Sequence, residues 1–263
     1  DTYVKAGIRD IELGSAHDYI SDLKKLFSLQ KKYELNFIVH TFFPPLKEQL
    51  WVNIASQDAK VYKDSMFVAK NAIEFCRKAD APLYTIHPGY TKNVEPSDDF
   101  ITKGKEMDYE KCFSRLIESV QLLADRAQAQ GIKLGVEIQF NKIGFALCSN
   151  AEEFKRLFKE VTNKNLGILF DFGHAYSNAK HFKFDIKDLI NAIKDKIIAF
   201  HIHKGSGNDE HGKVPNLEFF SDFDRSFFRD KFLTLEVNWL SIRDILEQKA
   251  LIEQLPQPQD NET

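Results

Sequence analysis

The run Leu166-Gly167-Ile168-Leu169-Phe170-Asp171-Phe172-Gly173-His174 decides how this chain folds. Its opening residues are apolar without polar alternation, which predicts a strand over Leu166–Asp171 that is buried on both faces. The run then ends in a carboxylate, with an imidazole three residues further on. A buried strand that delivers polar chemistry at its C-terminal end belongs to a parallel sheet whose working face lies beyond the strand ends.

Working outward, six more short apolar runs share that form, at residues 8–13, 35–40, 83–87, 133–138, 197–203 and 232–237. Between them lie stretches with apolar residues at helical spacing, at 18–33, 62–78 and 109–130, and shorter ones at 152–161, Ile186–Ile193 and 217–229. Helices alternating with strands predict an α/β fold with a parallel sheet. The connections into strands are short, as at Ala6-Gly7 and Gln130-Gly131, whereas the segments leaving them are long and chemically rich. His40-Thr41-Phe42-Phe43-Pro44-Pro45, His87-Pro88-Gly89-Tyr90 and His203-Lys204-Gly205-Ser206-Gly207 are the examples. That asymmetry predicts a TIM (β/α)8 barrel, whose active face is built from the loops after the strands. Seven strands are legible where a closed barrel has eight, and the chain opens in what reads as the tail of a helix, so the first strand is expected to be missing. Residues 1–253 read as a single barrel domain, and 254–263, with two prolines, as a disordered tail.

Composition narrows the function classes. Hydrophobic residues make up 43% and charged residues 29%, ordinary for a globular chain, while 23 phenylalanines predict an aromatic-rich core. A net charge of -3 gives no global basic field of the kind that advertises nucleic acid or an anionic membrane. No apolar run approaches the roughly 20 residues needed to span a bilayer. Residues 1–10 carry no apolar signal region and no cleavage site. Cys76, Cys112 and Cys148 are widely spaced and form no CxxC pair, which fits a reducing, cytoplasmic setting. The glycines of 204–208 lack the phosphate-loop pattern, and no Gly-x-Ser-x-Gly elbow occurs.

The chemistry collects at the strand ends. His40, His87, Glu137, Asp171 with His174, the His201-Ile202-His203 alternation with Asp209 and His211, and Glu236 all fall at or just beyond the same end of successive strands. A lone histidine at such a place is ordinarily a hydrogen-bonded structural residue. Glu137 and Glu236 resist that reading, because each stands inside an apolar strand, where an unpaired carboxylate is costly. A divalent metal takes imidazole nitrogens and carboxylate oxygens at about 2.0–2.2 Å, and a barrel gathers strand ends that are remote in sequence. The set His40, His87, Glu137, Asp171, His174, His203, Asp209, His211 and Glu236 therefore predicts a site for one to three divalent ions of the zinc, manganese, magnesium or cobalt kind. His201 and His203 share a face. His203, nearer the loop, is the expected ligand, with His201 and Lys204 left to line the substrate pocket. Phe42-Phe43-Pro44-Pro45 and Trp51 read either as a pocket wall or as a packed lid.

In this order and at these intervals, the segments Asp10-Ile11-Glu12-Leu13-Gly14, Ile38-Val39-His40, Ile86-His87-Pro88-Gly89, Gly135-Val136-Glu137, Asp171-Phe172-Gly173-His174, His201-Ile202-His203 with Asp209-Glu210-His211, and Leu235-Glu236-Val237 resemble the xylose isomerase-like TIM barrels, grouped with AP endonuclease family 2. The resemblance spans nearly the whole chain. In the isomerase and epimerase branch it implies one metal on Glu137, Asp171, His203 and Glu236, with the two glutamates also shuttling protons on a sugar or sugar phosphate. In the endonuclease IV branch it implies three zincs. His40, His87 and Glu137 would hold the first, and Glu137, Asp171, His203 and Glu236 the second. His174, Asp209 and His211 would hold the third, with a nucleic-acid phosphodiester as substrate. The chain departs from both at Gly212-Lys213-Val214-Pro215-Asn216, where the family's usual glycine turn is replaced. Loops dense in arginine and tyrosine, which would grip and wedge a duplex, are not evident, so the isomerase or epimerase reading leads.

Overall fold

The computed structural model describes residues 2–14, 19–20, 22–48, 50–94, 102–141, 144–205, 207 and 210–255. In chain order the elements are α1 (Thr2–Lys5), β1 (Asp10–Leu13), α2 (Leu23–Tyr33), β2 (Asn36–His40), α3 (Ala59–Lys78), β3 (Leu83–Ile86) and the two-residue strands β4 (Asn93–Val94) and β5 (Thr102–Lys103). There follow α4 (Tyr109–Gln128), β6 (Lys133–Glu137), α5 (Ala151–Glu160), β7 (Leu166–Asp171), α6 (Phe172–Phe182), α7 (Ile186–Ile193), β8 (Ile197–Ile202), β9 (Phe232–Leu235) and α8 (Ile242–Ile252). Short acidic or amide side chains set the helix starts. Asp58 accepts from Lys60 N and Val61 N, Asp108 from Lys111 N, and Asn150 from Glu153 N, each satisfying donors the helix leaves open. The Asp58 cap starts α3 before the first apolar residue of its stripe.

Seven strands form one sheet in the order β1-β2-β3-β6-β7-β8-β9, every neighbouring pair parallel. This is the TIM-barrel arrangement with seven strands in a nearly closed cylinder. Strands β1 and β9 are its two edges.

Side chains two residues apart on a strand face the same way, and that parity sorts the barrel. Leu83, Leu169 and Ala199 pack with Ile38 and Phe232 as a small inner cluster. His40, Thr85, Asp171, His201 and Thr234 stand two residues further along the same strands, on the same inner side. Outward-facing Val39, Val136, Phe170 and Phe200 join the main core against the helices. Much of the phenylalanine content goes there. Phe172 stands 5.1 Å from Phe220 and Phe200 stands 4.8 Å from Phe228, ring centroid to centroid. Phe172, one residue after Asp171, is fully buried in this aromatic block, so the end of β7 is anchored where its carboxylate must point.

Several elements differ from expectation. Residues 217–229 form two 3-10 turns, Leu217–Phe220 and Arg225–Phe228, instead of a helix. Their phenylalanines reach the core from turns, which mimics helical spacing. Segment 172–182 is α6, capped by Asp171, and 242–252 is α8, capped by Ser241. Leu255, placed in the tail by sequence, is fully buried, so the chain stays packed to that point. Residues 256–263 lie outside those described. Among the described residues, no helix is long and apolar enough to cross a membrane.

Candidate metal centre

The strand ends converge. Glu137, the last residue of β6, places Oε2 3.1 Å from His87 Nε2 and 3.4 Å from His40 Nε2. The two imidazole nitrogens are themselves 3.2 Å apart. Glu137 Oε1 lies 3.1 Å from His174 Nδ1 in the first turn of α6. Asp171 works twice. Its Oδ1 caps α6 by accepting from His174 N at 2.7 Å, and both its oxygens lie 3.0 Å from His203 Nε2. His201 is fully buried within β8. Its Nε2 meets Glu12 Oε1 at 2.7 Å, and its Nδ1 lies 2.8 Å from Glu236 Oε2 and 3.7 Å from Asp171 Oδ2. His211 stacks on His203 with ring centroids 4.1 Å apart and lies 3.5 Å from Glu236 Oε2.

Local sequence explains why these side chains fit. A Cβ on Gly173 would come within 2.0 Å of His203 Cε1, so only glycine lets that ring lie against the start of α6. The loop between His203 and His211 is closed by paired backbone bonds, Lys204 N to Gly212 O at 2.8 Å and Gly212 N to Lys204 O at 3.0 Å. Glu236 is tied to β8 through its backbone N, which donates to Ile202 O at 3.2 Å. Thr85 Oγ1 sits 2.8 Å from His40 Nδ1 and so fixes the tilt of that ring, which turns Nε2 toward His87 and Glu137.

Electrostatics are set by burial against proximity. Burial favours a neutral Glu137, yet His87, His174 and His40 hold its carboxyl well below the usual carboxylate range. The same contest, won by His174 and His203, keeps Asp171 ionised. Burial pushes His40 down to about 4 against the pull of Glu137, so its ring is neutral at neutral pH. His201 goes the other way: burial opposes a charge, but Glu12 and Glu236 raise it well above the ordinary imidazole range.

This donor set suits a divalent cation. Glu137 Oε2, His201 Nδ1 and Glu236 Oε2 are buried with no aligned hydrogen-bond partner, although donors or acceptors crowd around them. Folded interiors leave few such atoms, and a cation shared among carboxylate and imidazole ligands would satisfy all of them. Groups close enough to hold one are His40–His87–Glu137, Glu137–Asp171–His174, Asp171–His203–Glu236, His174–His203–His211 and Glu12–His40–His201.

Eight of the nine residues marked as ligands by sequence thus stand together in one cluster, and Asp209 lies outside the described residues. Both β8 histidines turn inward. His201 is enclosed by carboxylates, and Lys204 is exposed. The Phe42-Phe43 pair divides: Phe43 is core, 4.9 Å from Phe75, while Phe42 stands 5.3 Å from His87 and 5.4 Å from Trp51 and forms a wall. Phe140 stacks beside His174 at 6.0 Å on another side. Sequence reasoning missed Glu12. The signal was available, since Glu12 is an acidic residue within an apolar strand, as Glu137 is.

Comparison with known proteins agrees with this fold. An uncharacterized protein of Methanocaldococcus jannaschii, MJ1311, is 29% identical over 238 residues, covering 89% of this chain and 74% of its own length. Among solved structures, a D-tagatose 3-epimerase-like protein superposes with a TM-score of 0.70 at 22% identity, over 94% of this chain and 88% of that one. D-psicose 3-epimerase with D-tagatose from Clostridium cellulolyticum H10 gives 0.67 at 15% identity, over 98% and 92%. The family pattern described as xylose isomerase-like TIM barrel matches residues 1–255, and the chain belongs to that family.

Proposed function

We propose that this protein is a divalent-metal-dependent isomerase or epimerase acting on a sugar or sugar phosphate. The observation that carries the reading is that four consecutive strands, β6, β7, β8 and β9, each deliver one element of a carboxylate–imidazole set: Glu137, Asp171, the His201/His203 pair and Glu236. These residues would hold the ion, with zinc, manganese, magnesium and cobalt all compatible with oxygen and nitrogen donors. Once bound, such an ion polarises a sugar carbonyl and its neighbouring hydroxyl. Glu137 and Glu236 stand on the first and last of the four strands. There, one carboxylate takes the proton from the carbon beside the carbonyl, and the other returns one to the same or the adjacent carbon. Glu137 is kept ionised by the imidazoles around it, so its carboxylate form is the one that faces a substrate. Phe42, Trp51 and Phe140 wall the cluster and shield it from water. Likeness to structures described as D-tagatose 3-epimerase-like and D-psicose 3-epimerase supports a sugar substrate.

A second reading has its own observation. His40 and His87 beside Glu137, and His174 beside His203 and His211, provide ligand groups beyond what one ion needs. A phosphodiester hydrolase of the endonuclease IV type, with a nucleic-acid substrate, would use them to hold three ions. Elemental analysis of purified protein separates the two readings. About one ion per chain is expected for the isomerase, while about three, together with cleavage of an abasic-site duplex, would replace it. Epimerisation of ketohexoses and their phosphates, lost on chelation and restored by one metal, is the positive test.

A further inference from the structure

Glu12 is not one of the expected ligands, and nothing in the proposed chemistry uses it, yet both of its oxygens are committed. From β1 it reaches inward to His201 Nε2 on β8, at 2.7 Å through Oε1, and to Thr234 Oγ1 on β9, at 2.7 Å through Oε2. The threonine hydroxyl has a proton to give, so it donates to one carboxylate oxygen and leaves the other to the imidazole. An ionised carboxylate can only accept, so His201 Nε2 must carry the hydrogen.

The consequence falls on the other side of the ring. With hydrogen held at Nε2 by Glu12, Nδ1 is the nitrogen whose proton a metal would displace. That atom is fully buried, has no aligned hydrogen-bond partner, and lies 2.8 Å from Glu236 Oε2 and 3.7 Å from Asp171 Oδ2. Carboxylate oxygens from the end of β7 and from just beyond β9 thus stand within 3.7 Å of that buried nitrogen. His203, by contrast, faces both oxygens of Asp171 through Nε2 and stacks on His211, beside His174. His203, one residue past β8, reaches the same Asp171 and Glu236 through Nε2, from the side of His174 and His211.

We propose that Glu12 is a positioning residue of the metal centre: by holding Nε2–H of His201, it fixes that ring so that Nδ1 is presented, with Asp171 and Glu236, as a nitrogen ligand. This rests on the reading that the cluster holds a divalent metal. Carboxylate partners of ligating histidines fix the tautomer and raise ligand basicity, and their loss typically lowers metal affinity about 10–100-fold. Thr234 does for Glu12 what Glu12 does for His201, locking the acceptor in place.

The test is a cobalt(II) titration of metal-stripped protein, followed by visible absorption against a competing chelator, on wild type, Glu12→Gln, His201→Ala and the double variant. Glu12→Gln should weaken cobalt binding about 10–100-fold, and in the His201→Ala background it should add almost nothing, because Glu12 acts through that ring. Wild-type affinity in Glu12→Gln, or full additivity of the two losses, overturns the inference while leaving the metal reading intact. A wild-type chain that binds no cobalt removes both. Folding of the variants is bypassed by nitrogen-15 NMR of zinc-loaded wild type, where His201 should show a protonated Nε2 and a metal-bound Nδ1. The reverse assignment refutes the role of Glu12.

Discussion

The two ends of the ligand cluster differ in how much water they see. At the β2–β3–β6 end, the side chains of His40, His87 and Glu137 are 7%, 11% and 1% exposed. At the β9 end, His211 is 13% and Glu236 is 32% exposed. The inner carboxylate is enclosed by three imidazoles and has its charge fixed before any substrate arrives. The outer one keeps contact with solvent beside His201 and His211. On the proposed function, a substrate would enter over Glu236, with Glu137 as the far wall. Glu137 is the pre-set group of the pair, and Glu236 is the one whose surroundings change on binding.

The largest test of that contrast is to neutralise each glutamate in turn. Glu137→Gln and Glu236→Gln should each lower epimerase or isomerase turnover about 10²–10⁴-fold, the range of a lost acid–base group. They should part company in stability: metal-free Glu137→Gln should melt lower than wild type, because His40, His87 and His174 lose the buried carboxylate they surround. Metal-free Glu236→Gln should melt close to wild type. Equal melting shifts in calorimetry would erase the distinction between the ends.

Gly173→Ala comes next. The added methyl would meet His203 Cε1 at 2.0 Å, so ring or helix must move, at about 1–3 kcal/mol. Urea denaturation should show that loss, together with weaker metal retention. Unchanged stability would mean that the His203 ring has room to swing away.

The smallest effect expected is in the pH profile of the metal-free protein. The folded His40 ring refuses a proton until about 4, while the unfolded ring takes one near the ordinary imidazole value of 6.5. Its contribution is thus present above 6.5 and is lost as pH falls toward 4. Glu137 and Asp171, with lowered folded values, add to the acid loss at lower pH. His201 has the opposite sign. Its folded value is raised, so its stabilisation is full below 6.5 and disappears as pH rises through the folded value. Melting temperature should therefore peak in between, with His40→Asn flattening the acid limb and leaving the alkaline limb alone.

Much of this was legible in the chain. The strands could be read because buried strands are apolar throughout, and their ends could be read because Glu137 and Asp171 interrupt that apolarity abruptly. Helix α6 was hidden because its inner face carries Gly173, Ser177 and Asn178, chosen for close approach and hydrogen bonding and not for an apolar stripe. The 217–229 segment misled in the opposite sense, since Phe219, Phe220, Phe223, Phe227 and Phe228 have helical spacing yet pack from turns. The division of labour between His201 and His203 was also beyond sequence. Parity puts both inside, but only the position of Glu12, 189 residues away in the chain, sets which way the His201 ring turns.

The Glu12 carboxylate has one more consequence. Strands β1 and β9 are the two ends of the sheet order and share no backbone ladder among the described residues, yet the hydrogen bond that Thr234 donates to Glu12 joins them directly. The cylinder is thus fastened by a clasp at the level of the ligands, and the clasp and the ligand set share His201. If the cluster takes a metal as proposed, loading it would also draw the two rims together, so the loaded protein should resist opening along the β1–β9 seam, with slowed amide exchange at Asp10–Leu13 and Phe232–Leu235 as its trace.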